Sequence, residues 1–203
     1  MNKRDFIINQ LMKPEFITKD KSIIELEEME DSGRSKLTVN FPDKECLSIP
    51  NVDKKHTDLY FFQEASQLSM YKRVDHIIFE PVANDAWNIH LFEMKGSVSK
   101  EKWVEIKGKF RASYLLAEGL AAILDIKIND VIMYTTFEKV VCVPSPTIPS
   151  SRRVAVGQSL IKMQDEWNGS QFRLNLGDRI EFKHIPVQMR RDSDKILIGT
   201  INL

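Results

Sequence analysis

Cysteine is scarce in this sequence: Cys46 and Cys142 are the only two among 203 residues, far apart and in no CxxC pair. That excludes a structural zinc site of the usual spacing and leaves two buried free thiols as the expectation. Long apolar runs are missing too, and none approaches the ~18 residues that a membrane-spanning helix requires. The N-terminal stretch MNKRDFIINQLMKPEF has neither the continuous apolar segment nor the small-residue cleavage site of a secretory signal. The cytoplasm is therefore the expected compartment, with no membrane partner. Net charge is absent as well, since 29 Lys and Arg balance 29 Asp and Glu. This argues against a bulk electrostatic binder of nucleic acid. It leaves room for an acidic metal centre with a local basic rim.

A hydrophobic content of 42% and a charged content of 29% suit an ordinary globular chain. The length suits one domain with elaborations. We divide it into a core with an N-terminal hairpin over 1–150 and a C-terminal helix and β extension over 151–203, both parts of the same domain. Residues 3–13 form a short helix before Pro14. Residues 22–29 and 36–41 flank a turn-like EDSGR and read as a hairpin. The stretch 45–58 reads as irregular, and the middle of 58–72 as helix. The apolar runs RVDHIIFE (73–80) and WNIHLFEMK (87–95) flank the turn-like PVANDA and predict a second hairpin. Trp103, Ile106, Phe110, Tyr114, Ala117, Ala121 and Leu124 recur at helical spacing, which predicts a core-facing helix over 99–124. Ser97 or Ser99 can cap it, with Glu101 in its first turn. Residues 128–136 read as a strand, 143–153 as a Pro- and Ser-rich loop, about 157–167 as a helix, and 171–203 as a small β unit.

An acid followed two residues later by lysine occurs five times: Asp53–Lys55, Glu93–Lys95, Glu105–Lys107, Asp125–Lys127 and Glu181–Lys183. The spacing alone therefore selects nothing. Context favours Glu93–Lys95, which closes an apolar strand. A strand's period of two puts both side chains on one face and Met94 on the other. Charges at the end of a buried strand are costly unless paired or metal-bound. If the hairpin turns on Asn84, residues whose numbers sum to 168 face each other. Asp75 then lies opposite Glu93, with Cβ atoms ~5 Å apart. Two carboxylates so placed repel, and a divalent cation between them reverses the repulsion. Mg2+ is content with one or two carboxylates, a carbonyl and waters. A slip of one residue would undo the arrangement.

The run VDHIIF, then HLFEMKG, then a helix starting near KEKW resembles the PD-(D/E)xK nuclease superfamily over about 72–136. The match falls on Asp75, Glu93 and Lys95, with Val74 where many members have proline. Glu64 is the candidate for the glutamate that many members carry on a first helix. The resemblance implies an α/β fold of restriction-endonuclease type: a mixed sheet flanked by helices, here with a C-terminal β extension. It implies Mg2+ or Mn2+ held by Asp75, Glu93 and the Met94 main-chain carbonyl. Lys95 would orient the attacking water or stabilise charge developing on the phosphate.

His76 and His90 fall on the opposite strand face and read as packing or hydrogen-bonding residues. Lys102, Lys109, Arg111, Arg152 and Arg153 are candidate phosphate contacts, with a solvated helix face or loop as the bland alternative. Asp178, Glu181 and Lys183 form a rival cluster, but carboxylates three apart on a strand point to opposite faces. The expectation is phosphodiester hydrolysis in DNA before RNA. A homodimer would suit an enzyme that cuts both strands. The rivals are a nuclease-like chain that binds nucleic acid or protein without turnover, in phage or host-defence regulation, and a protein-interaction module in which the motif is coincidental.

Overall fold

The computed structural model describes residues 2–30, 33–55, 62, 68–141, 163–169 and 172–203. Cys142, Glu64, the 143–153 loop with Arg152 and Arg153, and most of the 58–72 and 157–162 stretches lie outside the described residues. The N-terminal segment is a single helical turn, α1 (Lys3–Phe6), continued by a π turn over Ile7–Leu11. The first hairpin is longer than its apolar pattern suggests, with β1 (Thr18–Glu30) antiparallel to β2 (Gly33–Ile49). β2 runs on through part of the stretch read as irregular.

The second hairpin has the expected register. β3 (His76–Pro81) and β4 (Ala86–Glu93) pair antiparallel, His76 with Phe92 and Ile78 with His90. Their turn holds Asn84 at φ 62° and Asp85 at φ 56°, the left-handed region that short polar side chains tolerate. A short strand β5 (Ser97–Ser99) leads into α2 (Lys100–Ile123), whose first turn is capped by Ser99 Oγ accepting from Lys102 N. β6 (Lys127–Phe137) returns parallel to β4, and β7 (Lys139–Val141) pairs with β5. After the short helix α3 (Met163–Trp167) come β8 (Arg173–Leu176) and β9 (Asp178–Glu181), a separate exposed hairpin. Gly169, at φ +77°, closes the turn after α3, and a Cβ there would lie 2.5 Å from the His184 carbonyl oxygen. The remaining strands are β10 (Lys183–Gln188), β11 (Arg190–Arg191) and β12 (Leu197–Asn202).

The main sheet runs β10-β6-β4-β3-β2-β12-β11, with β1 alongside β2. Its first and last strands, β10 and β11, are separated in sequence only by Met189. The sheet therefore curls until its ends nearly meet, giving a mostly-β, nearly closed, barrel-like mixed sheet of seven strands. This overturns the restriction-endonuclease-like expectation of an α/β sheet flanked by helices. Among the described residues the helical segments of seven or more residues are two, α2 and the N-terminal run of α1 with its π continuation. The C-terminal β extension is also corrected: β10 and β12 belong to the main sheet, pairing in parallel with β6 and β2.

The physical reason lies in the central hairpin, which is buried on both faces. Its even-numbered residues Ile78 and Phe92 enter a cluster inside the curled sheet with Leu37, Val39, Tyr134 and Leu197. Its odd-numbered residues Ile77, Phe79, Ile89 and Leu91 enter the outer cluster, against Trp103, Ile106 and Phe110 of α2. Such strands read as continuous apolar runs. The run reveals that both faces are covered, but not whether a helix or the sheet itself covers them. β2 changes faces between Phe41 and Leu47, around Pro42 and Asp43 (φ 56°), so that Leu37 and Val39 point inward while Leu47 and Ile49 point toward α2.

Candidate functional site: a carboxylate pair beneath two lysines

One residue before β3 the backbone slips out of the ladder: Asp75 N donates to Phe92 O at 3.1 Å, the residue already paired with His76. Asp75 still lies close enough to Glu93 for its charge to act on that carboxyl. Asp75 is fixed at three points. Its carbonyl accepts from Val52 N at 2.8 Å, Oδ2 accepts from Met94 N at 2.5 Å, and the preceding Val74 N donates to Ser113 Oγ of α2 at 2.9 Å. Lys95 N donates to Thr136 Oγ1 of β6 at 2.9 Å, which anchors the backbone as it leaves the sheet.

Glu93 is fully buried. Its Oε1 accepts from Lys109 Nζ at 2.7 Å and lies 3.1 Å from Lys95 Nζ. Its Oε2 is buried with no hydrogen-bond partner among the described residues. Lys95 Nζ also donates to the Met94 carbonyl at 2.8 Å. Both lysine side chains are about 15% exposed, so they form the solvent-facing side of an otherwise sealed group. Burial first, then the Asp75 charge, push the Glu93 carboxyl up to about 8, against the pull of Lys95 and Lys109. Burial disfavours the Lys109 charge, but Glu93 and Asp75 outweigh it and hold the ammonium above its ordinary value. The groups titrate as a unit, with burial the largest cause of the raised carboxyl.

The structure thus brings Asp75, Glu93, Met94 and Lys95 together. Lys109 is corrected: it is not an outward phosphate contact but turns inward onto Glu93. Lys102 is exposed and Arg111 half-buried, away from the carboxylates on α2. Arg152 and Arg153 are outside the described residues. Sequence reasoning missed both the inward turn of Lys109 and the role of Ser113. Their signal was present as two polar residues four apart beside the apolar stripe, which share a helix face. It also missed Glu28 of β1, a buried carboxylate 3.4 Å from Lys54 Nζ. Burial and then the nearby Asp75 raise its pKa.

Other polar groups read as structural. His90 bridges Glu80 Oε2 (Nε2, 2.8 Å) and Tyr134 OH (Nδ1, 3.1 Å) inside the curled sheet, and Lys44 also contacts Glu80. His76 Nδ1 accepts from Asn51 N at 3.3 Å. In the rival cluster Glu181 pairs with Arg173 on an exposed hairpin at 3.1 Å.

Among the described residues no group of three or more His, Cys, Asp or Glu side chains is placed to hold a metal ion. The two carboxylates and the Met94 carbonyl nevertheless fit a hard cation in kind, because Mg2+ takes few protein oxygens and keeps its waters. The unpartnered Glu93 Oε2 is the atom an ion would satisfy. No described helix is long and apolar enough to cross a membrane. Comparison with protein-family models, curated proteins and solved structures finds no match.

Proposed function

We propose that this chain is a Mg2+- or Mn2+-dependent phosphodiesterase acting on nucleic acid, DNA before RNA, with a site of PD-(D/E)xK type. The observation that carries the reading is Glu93: fully buried, within reach of the Asp75 charge, with one oxygen shared by two lysines and the other without a partner among the described residues. Asp75, Glu93 and the Met94 carbonyl would hold the ion. When bound, the ion supplies Lewis-acid polarisation of the phosphate and a water of lowered pKa. Lys95, which already spans Glu93 and Met94, would turn its ammonium toward the phosphate or the attacking water. Lys109 would keep Glu93 ionised and aimed.

The same two lysines support a second reading. They match the charges of Asp75 and Glu93 without any ion, as expected of a chain that binds nucleic acid or protein without turnover. A cleavage assay separates the two. Single- and double-stranded DNA and RNA are incubated with Mg2+ or Mn2+, beside Glu93→Gln and Lys95→Ala. Cleavage by the wild type alone supports the enzyme. No cleavage of any substrate, with no divalent-ion binding, leaves the binding reading.

A further inference from the structure

A groove of roughly 550 Å³ runs between residues 68–72 and the outer side of α2. Leu68 and Lys72 line one wall, and Val104, Glu105, Gly108 and Arg111 line the other. We propose that this groove binds the backbone of a single nucleic-acid strand along the outer side of α2. The proposal rests on the phosphodiesterase reading for its choice of ligand, but its test does not require turnover.

Charge is the first support. Lys72 and Arg111 form no ion pair among the described residues, whereas Lys95, Lys107 and Lys109 are each matched by an acid. Two cations facing each other across a groove complement the spaced charges of a phosphodiester chain. Glu105 is the one acid among the described lining residues, against two cations.

The apolar lining is the second. Leu68 is 64% exposed and Val104 67% exposed. Together they offer contact to the apolar faces of unstacked bases, which a duplex would keep hidden.

Gly108 is the third. Glycine in a helix interior is unfavourable, and packing does not demand it here: an added Cβ would meet nothing nearer than Arg111 Nη2 at 4.0 Å. A missing side chain on the groove floor lets a ligand backbone approach the helix closely. The groove is near the site in sequence: Lys72 is three residues before Asp75, and Gly108 on the outer side of α2 precedes Lys109, which turns inward to Glu93.

The test is fluorescence anisotropy with a short labelled single-stranded DNA, without divalent ions so that no cleavage intervenes. Reversing both charges (Lys72→Glu with Arg111→Glu) should weaken binding at least about tenfold. It should also lower the log–log salt slope by about 1.4, since each single-strand phosphate contact contributes about 0.7. Gly108→Ala should raise the melting temperature yet weaken binding. Gly119→Ala serves as control: it lies on the same helix, where a Cβ meets nothing within 4 Å, and should stabilise without changing affinity. Unchanged affinity in the charge reversal, or no binding by the wild type, overturns the groove. If the wild type cleaves in Mg2+ while the reversal binds normally, the groove is wrong and the phosphodiesterase reading stands. If the reversal loses binding although nothing is cleaved, the groove stands and that reading falls.

Discussion

Lys109, near the middle of α2, reaches back to the sheet and donates to Glu93 at 2.7 Å, so the helix and the hairpin that carries Asp75 are tied by charge as well as by apolar packing. Removing Lys109 leaves the buried carboxylate with Lys95 as its one cationic partner among the described residues. Lys109→Met should cost roughly 3 kcal/mol, the scale for breaking one partner of a buried pair. The double variant with Glu93→Gln should recover much of that loss. Urea denaturation of the four proteins gives the coupling. An additive result would mean the contact contributes nothing to the fold.

The three motif residues should separate by function. Glu93→Gln and Asp75→Asn each keep shape while removing a negative charge, so both should lose divalent-ion binding and cleavage together. Lys95→Ala leaves both carboxylates in place and should still bind the ion while cleavage slows by a factor of about 100 or more. Calorimetric metal titration beside turnover distinguishes the cases. Equal activity in the Lys95 variant would remove the lysine from the chemistry.

Acid should destabilise the protein through His184. The ring is enclosed by Trp103, Trp167, Phe110 and Phe172, donates or accepts at Thr135 Oγ1 (3.0 Å) and lies 3.0 Å from the Trp167 carbonyl. Burial lowers its pKa to about 4, against the Trp167 carbonyl that favours the charged form. The unfolded chain therefore binds the proton near 6.5 while the folded chain does not. Stability from this group is complete above pH 6.5 and lost as pH falls toward 4, by up to roughly 3 kcal/mol. His76, also lowered to about 4 by burial, adds a term of the same sign. His184→Gln should flatten part of the slope of unfolding free energy between pH 6.5 and 4. An unaltered slope would show that the histidine is not held neutral.

The stripe of α2 should behave as core. Phe110 is fully buried against Phe172 and His184. Phe110→Ala should cost roughly 3–5 kcal/mol. A loss below about 1 kcal/mol in denaturant unfolding would contradict the packing.

The hairpin was legible because its signals were local. The apolar runs, the turn at Asn84 and the period of two together placed Asp75 against Glu93. The helix was legible from its stripe and its serine cap. What closes around them was not. β12 pairs with β2, and β10 with β6, across long stretches of sequence, and a short alternating run at 197–202 looks the same whether it edges a small unit or completes a large sheet. Lys109 was misread because its position flanks the apolar stripe. Whether a flanking lysine turns outward or inward depends on what the facing strand offers, and here it offers Glu93.

The pairing of β12 with β2 has a consequence for how the chain reaches its native state. Ser35 is aligned with Leu197, and Asn40 Nδ2 donates to Asn202 Oδ1 at 2.7 Å across 162 residues of sequence. The inner cluster includes Leu37 and Val39 from one side of that span and Val187, Met189 and Leu197 from the other. Closing so large a loop must precede the contacts that reward it, which places the chain among slow folders. On the ribosome the first hairpin would wait, its inner face uncovered, until residues 183–202 emerge. Shielding of that face by a chaperone during synthesis would be more valuable here than in a fold built from neighbouring segments.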